Sequence, residues 1–158
     1  MNDHVHMRQE GKLRVRVRYI ECDAQGIAHH ANYGPWLEMG RTELLRDAGT
    51  SYKQLEASGV FIVVTRMEIV YRRPIRYDDV IEIETLGGSS TPIRLRHEYR
   101  IRLIERNGLI PDIGTDSSVP VDGICARATT EVACVDADGK PIRVPDWLVH
   151  ALGIGSQQ

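Results

Sequence analysis

The sequence predicts an α+β domain: an antiparallel sheet packed on one long helix. Three observations carry that expectation. Tyr33, Trp36, Leu37, Gly40, Leu44, Leu45 and Ala48 recur at helical spacing, with Glu38, Arg41, Thr42, Glu43, Arg46 and Asp47 on the opposite side. The other apolar runs either alternate with polar residues or are rich in β-branched side chains, as strands are. The order is strand, long helix, then four strands, most of them joined by short connections, which favours antiparallel pairing. A single amphipathic helix must then bury its stripe against that sheet.

Each element has its own justification. Residues 1–11 read as a loose polar tail, 12–152 as one domain and 153–158 as a second tail. Lys12 to Tyr19 alternates strictly, with Leu13, Val15, Val17 and Tyr19 on one face and Lys12, Arg14, Arg16 and Arg18 on the other. In the long helix Asn32 is a suitable N-cap, Pro35 sits in the first turn where a missing N–H is harmless, and Gly49 supplies the stop. Ser51 caps a short helix to Ala57. Phe61 to Arg73 reads as a long strand ended by Pro74, and Val80 to Leu86 as another with Glu82 and Glu84 on one face. Gly87-Gly88-Ser89-Ser90 reads as a turn. Ile93 to Ile104 alternates again, its arginines 94, 96, 100 and 102 forming a solvated stripe. A long insertion, 107–124, precedes the last strand, Cys125 to Val135, and Pro145 to Leu152 reads as a short closing helix. Gly40 in mid-helix costs about 1 kcal/mol relative to Ala and predicts a strand passing close by. A sheet around one helix leaves an open edge, which favours dimerisation.

Composition excludes several classes. A net charge of -2 and a pI near 6.3 give no reason to expect nucleic-acid binding. No stretch approaches the roughly 20 apolar residues of a membrane span, and the N-terminus lacks the apolar region of a secretory signal. Cys22, Cys125 and Cys134 are odd in number and show no C-x-x-C spacing, which fits reduced thiols in a cytoplasmic protein. His4 and His6 lack further ligands nearby, so no metal site is expected.

The chemistry concentrates between Tyr19 and Gly49. There a loop with an acid and two adjacent histidines runs into the long helix. Asp23 and His30 lie just before a helix N-terminus, where free N–H groups and the positive dipole end favour developing negative charge. Asp23 can serve as general base or nucleophile, or can simply cap a turn with Gly26. Tyr19 continues the apolar face of the first strand, and packing alone would explain it.

The pattern Tyr19-x-x-x-Asp23-x-x-Gly26-Ile27-x-x-His30-x-Asn32-Tyr33-x-x-Trp36-x-Glu38 resembles the hotdog-fold acyl-CoA thioesterases of the 4-hydroxybenzoyl-CoA thioesterase type, including the Tol-Pal-associated branch. Arg41 to Arg46 and Arg76 to Val80 resemble that branch too. The resemblance implies a hotdog fold, an antiparallel sheet wrapped around one central helix. It implies a homodimer or homotetramer with active sites at the dimer interface, and hydrolysis of an acyl-CoA thioester. Coenzyme A would be part of the substrate, with no separate cofactor. By the same resemblance Asp23 matches the catalytic carboxylate. His30 matches a position whose backbone N–H polarises the carbonyl, or whose side chain acts, and Tyr19 matches an implicated tyrosine. Gly26, Ile27, Asn32, Tyr33 and Glu38 would line the substrate site. Basic residues that meet the CoA phosphates in some relatives are replaced by Ser90 and Thr91. The alternative is a non-catalytic acyl-CoA-binding module on the same fold.

Overall fold

A computed structural model describes residues 9–110 and 119–152, apart from the side chains of residues 89 and 90. Five strands form one antiparallel sheet: β1 (Gln9–Arg16), β2 (Phe61–Tyr71), β3 (Val80–Thr91), β4 (Arg94–Glu105) and β5 (Ile124–Val135). Their spatial order is β1-β3-β4-β5-β2, so β1 and β2 are the edges. The helices are α1 (Tyr33–Asp47), α2 (Tyr52–Ala57) and α3 (Asp146–Ala151).

Register turns the alternation of each strand into one apolar face. Leu13 pairs with Ile83, Ile83 with Ile101, and Ile101 with Ala126, so these side chains stack on the side facing α1. The sheet wraps the helix. Arg41 of α1 donates to Tyr99 of β4. A Cβ on Gly40 would stand 2.4 Å from Thr85 Oγ1 of β3, which is the predicted close passage. A Cβ on Gly11 of β1 would meet Leu44, and one on Gly34 would meet Met67 of β2. Trp36, Leu37 and Leu44 are accordingly buried.

Several local expectations need correction. The first strand begins at Gln9 and ends at Arg16, and a 3₁₀ turn, Tyr19–Glu21, follows it. That turn rotates Tyr19 out of the core, leaving it 80% exposed. Asn32 makes no cap hydrogen bond. A further 3₁₀ turn, His30–Asn32, precedes α1, and His29 Nδ1 caps it by accepting from Ala31 N (3.0 Å). The Gly87–Ser90 segment lies within β3, and the reversal falls at Pro92 and Ile93. Gly87 is needed for close approach instead, since a Cβ there would meet Leu44 Cδ2 at 3.2 Å. The arginine stripe on the outer face is not simply solvated. Arg100 and Arg102 pair with Glu84, and Arg14 pairs with Glu82. Arg41, read as polar-side, is buried. The tails before residue 9 and after 152, and residues 111–118 of the 107–124 insertion, lie outside the described residues.

Other expectations stand. Ser51 Oγ accepts from Gln54 N (3.2 Å) at the start of α2, and Gly49 has φ +85° at the end of α1. No helix among the described residues is long and apolar enough to cross a membrane.

Candidate active site

The loop from Cys22 to His29 is held by its own backbone. Cys22 bridges to Ala28, Asp23 N donates to Ile27 O (2.9 Å), and Gly26 N donates to Asp23 O (3.0 Å). Gly26 has φ +79°, which L side chains rarely adopt. The loop is then tied to the segment after β2. Ala28 N donates to Ile75 O (2.7 Å), and Ile27 bridges to Arg76. A buried ion pair fixes that segment in turn. Arg106 holds both oxygens of Asp79, at 3.0 and 2.8 Å, and also reaches Pro74 O. Asp79 accepts from Arg76 N as well (2.7 Å).

Glu21 organises the other side of the loop. Its carboxylate is 5% exposed and accepts from Arg18 N (2.7 Å), the Arg18 guanidinium (3.1 Å) and the Trp36 indole (3.1 Å). Burial alone would raise its pKa, but these donors outweigh burial and hold it below the usual glutamate value. Its carbonyl accepts from His29 N and from Asn32 Nδ2. Asn32 thus serves the helix entrance by holding the loop rather than by capping.

Between these anchors lies a cavity of about 440 Å³. It is lined by Asp23, Ile27, Ala28, His30 and Tyr33 of the loop and the start of α1, and by Tyr71, Arg72, Arg73 and Pro74 from the end of β2 onward. Asp23 Oδ1 accepts from Gln25 N (2.8 Å), so the carboxylate caps a turn. Its Oδ2 accepts no bond among the described residues, and Asp23 lines the cavity. The His30 N–H likewise has no acceptor among the described residues, as expected for the first residue of a helical turn. Tyr71 Oη donates to His30 O (3.3 Å), and the Tyr71 ring meets Tyr33 edge-on at 4.7 Å. Burial pushes the Tyr33 hydroxyl's pKa upward, keeping it protonated.

The structure therefore brings together Asp23, Ile27, His30 and Tyr33 of the residues singled out by sequence. Gly26 shapes the turn without lining the cavity. Tyr19 stands away from it, edge-on to Tyr77 at 5.6 Å. Glu38 is exposed on the outer side of α1, with its carbonyl taken by Thr42 Oγ1. Cys22 Sγ points back to Arg18 O (3.7 Å). Sequence reasoning missed Glu21, Tyr71, Arg72 and Arg73. No local pattern announced Glu21, since its partners are the Arg18 N–H, the Arg18 guanidinium and an indole fifteen residues later. Arg72 and Arg73 lay hidden inside an apparent strand. Arg72 is paired with Asp122 (2.9 Å), while Arg73 meets no carboxylate among the described residues. No cluster of three or more His, Cys, Asp or Glu suited to a metal occurs among the described residues.

Residues 17–152 match the family model described as the Thioesterase-like superfamily. YneP of Bacillus subtilis, named provisionally as an acyl-CoA thioesterase, is 32% identical over 86% of this chain and 91% of its own. The acyl-CoA thioesterase YbgC of Haemophilus influenzae is 32% identical over 83% of this chain and 85% of its own. A DHNA-CoA thioesterase structure from Staphylococcus aureus superposes with TM-score 0.72 at 26% identity, covering 90% of this chain and 87% of that one. With the wrapped helix and the acid-bearing loop at its entrance, these matches make the chain a member of the thioesterase-like superfamily of hotdog proteins.

Proposed function

We propose that the protein hydrolyses acyl-CoA thioesters to the free acid and coenzyme A. One observation carries this reading. Asp23 and His30 line the same cavity at the mouth of α1, and the His30 N–H has no acceptor among the described residues. The His30 N–H and the helix dipole polarise the thioester carbonyl and hold the oxyanion. Such a donor typically contributes about 2.7–4 kcal/mol of barrier lowering. Asp23 either takes a proton from the attacking water or attacks the carbonyl itself, giving an anhydride that water then opens. Both routes expel the coenzyme A thiolate, a good leaving group. Arg73, which meets no carboxylate among the described residues, contacts the phosphates of the CoA moiety, and Tyr33 and Tyr71 flank the acyl group.

The edge strand β2 completes the site in this reading. Val63, Val64, Met67, Val70 and Tyr71 are all exposed along it. A second copy pairing there would cover them and would close the cavity beside Tyr71, Arg72 and Arg73. The protein then works as a homodimer, alone or paired into a tetramer.

The test measures free-thiol release and equilibrium binding across aliphatic and aromatic acyl-CoAs. Turnover of at least one class is the expected result. Tight binding of acyl-CoA with no thiol release would replace this reading with a non-catalytic acyl-CoA-binding module.

A further inference from the structure

His29 is where the acid-bearing loop becomes a helical turn, and it is an uncommon residue for that place. Serine, threonine, aspartate and asparagine are the preferred N-caps. His29 nevertheless has the extended backbone of a cap, with φ -66° and ψ 138° just before the turn His30–Asn32. Its side chain acts as a cap too, since Nδ1 accepts from Ala31 N at 3.0 Å. An accepting Nδ1 carries no proton, so the hydrogen of the ring sits on Nε2. The residue is exposed, yet its backbone is also held. His29 N donates to Glu21 O (2.8 Å), and His29 O accepts from Asn32 N (2.9 Å). Its ring stacks on that of His30, with centroids 4.1 Å apart.

The donors of this turn can be followed one by one. A helical turn opens with N–H groups that find no partner inside it. Ala31 N goes to the His29 imidazole, Asn32 N to the His29 carbonyl and Tyr33 N to the His30 carbonyl. Of the four groups from His30 to Tyr33, only His30 N has no acceptor among the described residues. Two of the three engaged donors therefore end on His29. The bond from Asn32 matters most for direction, because the His29 carbonyl and the His30 N–H share one rigid peptide plane. The imidazole fixes the next plane through Ala31 N. Without it, Ala31 N would become a second open donor beside His30 N, and the turn would lose its tie toward the loop. His29 is not itself among the residues lining the cavity, whereas His30 is.

We propose, on the hydrolytic reading above, that His29 is a positioning residue for the reaction. Its imidazole engages Ala31 N and closes the turn, so that the His30 N–H alone is presented to the thioester oxygen, in a fixed direction. It acts through His30 and does not touch the substrate.

The experiment compares steady-state acyl-CoA hydrolysis by the natural protein, His29→Ala and His29→Asn, with Tm measured on the same samples. Asparagine can cap through its side-chain oxygen but brings no imidazole. Losing an oxyanion donor outright costs about 10²–10³ in kcat, and a misdirected donor keeps part of that. His29→Ala should therefore lower kcat about 10- to 100-fold with KM within about three-fold, because the donor acts on charge that develops in the transition state. His29→Asn should stay within about three-fold of the natural kcat, since the cap is restored. A cap that served stability alone would move Tm and leave kcat of the folded protein unchanged. An unchanged kcat in His29→Ala, an equal fall in both variants, or a rise in KM alone would overturn the assignment and leave hydrolysis standing. No turnover by the natural protein would overturn both. Should His29→Ala fail to fold, heteronuclear NMR of the imidazole nitrogens of the natural protein in mildly alkaline buffer decides. A proton on Nε2 is expected, and a proton on Nδ1 would overturn the assignment.

Discussion

Gly40→Ala tests how tightly the sheet embraces the helix. On an isolated helix the change stabilises by about 1 kcal/mol, because alanine has less backbone freedom to lose. Here the new Cβ would lie 2.4 Å from Thr85 Oγ1 and 3.1 Å from Ile83 Cγ2. The first distance is far inside contact, and Thr85 is β-branched and sits in an interior strand, so it yields poorly. Overpacking of this kind costs about 1–3 kcal/mol. Relieving a 2.4 Å contact belongs in the upper half of that range, so the net expectation is a loss of about 1–2 kcal/mol. Thr85→Ala separates the terms. Thr85 Oγ1 is buried and has no partner among the described residues, so its removal relieves an unpaired hydroxyl while losing a methyl, and should be close to neutral. With the hydroxyl gone, the nearest Thr85 atom to the new methyl is Cβ at 3.7 Å, an ordinary contact. Gly40→Ala in that background should therefore cost far less, with a coupling of about 1–2 kcal/mol. Urea unfolding at fixed protein concentration reads all four proteins. A stabilising Gly40→Ala, or an equal cost with and without Thr85→Ala, would refute the close passage.

Three further outcomes follow from the site and the core. Glu21→Gln keeps the shape but leaves one acceptor oxygen, uncharged, where the carboxylate offers two to Arg18 and Trp36, so thermal unfolding should show a loss of about 1.5–3 kcal/mol. The His97 pKa is pushed down to about 3, by burial first and the Arg41 charge second. The unfolded chain therefore takes up a proton below about pH 6.5 that the folded chain refuses, and stability should fall by up to about 1.4 kcal/mol per pH unit from there toward pH 3. His97→Leu should flatten that fall, and the same slope in both proteins would contradict it. Glu21, with its depressed pKa, contributes stability above the usual glutamate range that disappears as pH drops further. Arg73→Ala should raise KM for acyl-CoA several-fold with kcat little changed, and added salt should shrink the difference; a fall in kcat alone would place Arg73 elsewhere in the reaction.

The strands β1 and β4 were legible because one face of each is more buried than the other, so period-two alternation survives in Leu13 and Val15 and in Leu95 through Leu103. It failed where the backbone leaves the strand. Tyr19 has the right parity, but the 3₁₀ turn beginning there breaks the alternation. Asn32 looked like a cap because caps are read from residue type, whereas an extra 3₁₀ turn moved that task to His29. Gly87 and Gly88 read as a turn because glycine marks both reversals and close approaches, and only the register distinguishes them. Arg41 was placed outside by its charge, and nothing local announces the tyrosine across the interface that receives it. At the site, Asp23 and His30 were legible because a loop entering a helix carries its own chemistry. Tyr71, Arg72 and Arg73 come from a strand end some forty residues later, and their meeting with the loop is set by the Asp79–Arg106 pair and the backbone bonds beside it.

The central claim concerns one carboxylate, and Asp23→Asn probes it with almost no change of shape. Its backbone bonds to Ile27 and Gly26 should persist, and the amide oxygen can still accept from Gln25 N. The measurement is kcat for coenzyme A release from the best acyl-CoA, with Tm recorded on the same samples. A fall of at least about 100-fold with Tm nearly unchanged is the predicted result. Turnover within a few-fold of the natural protein would contradict the account.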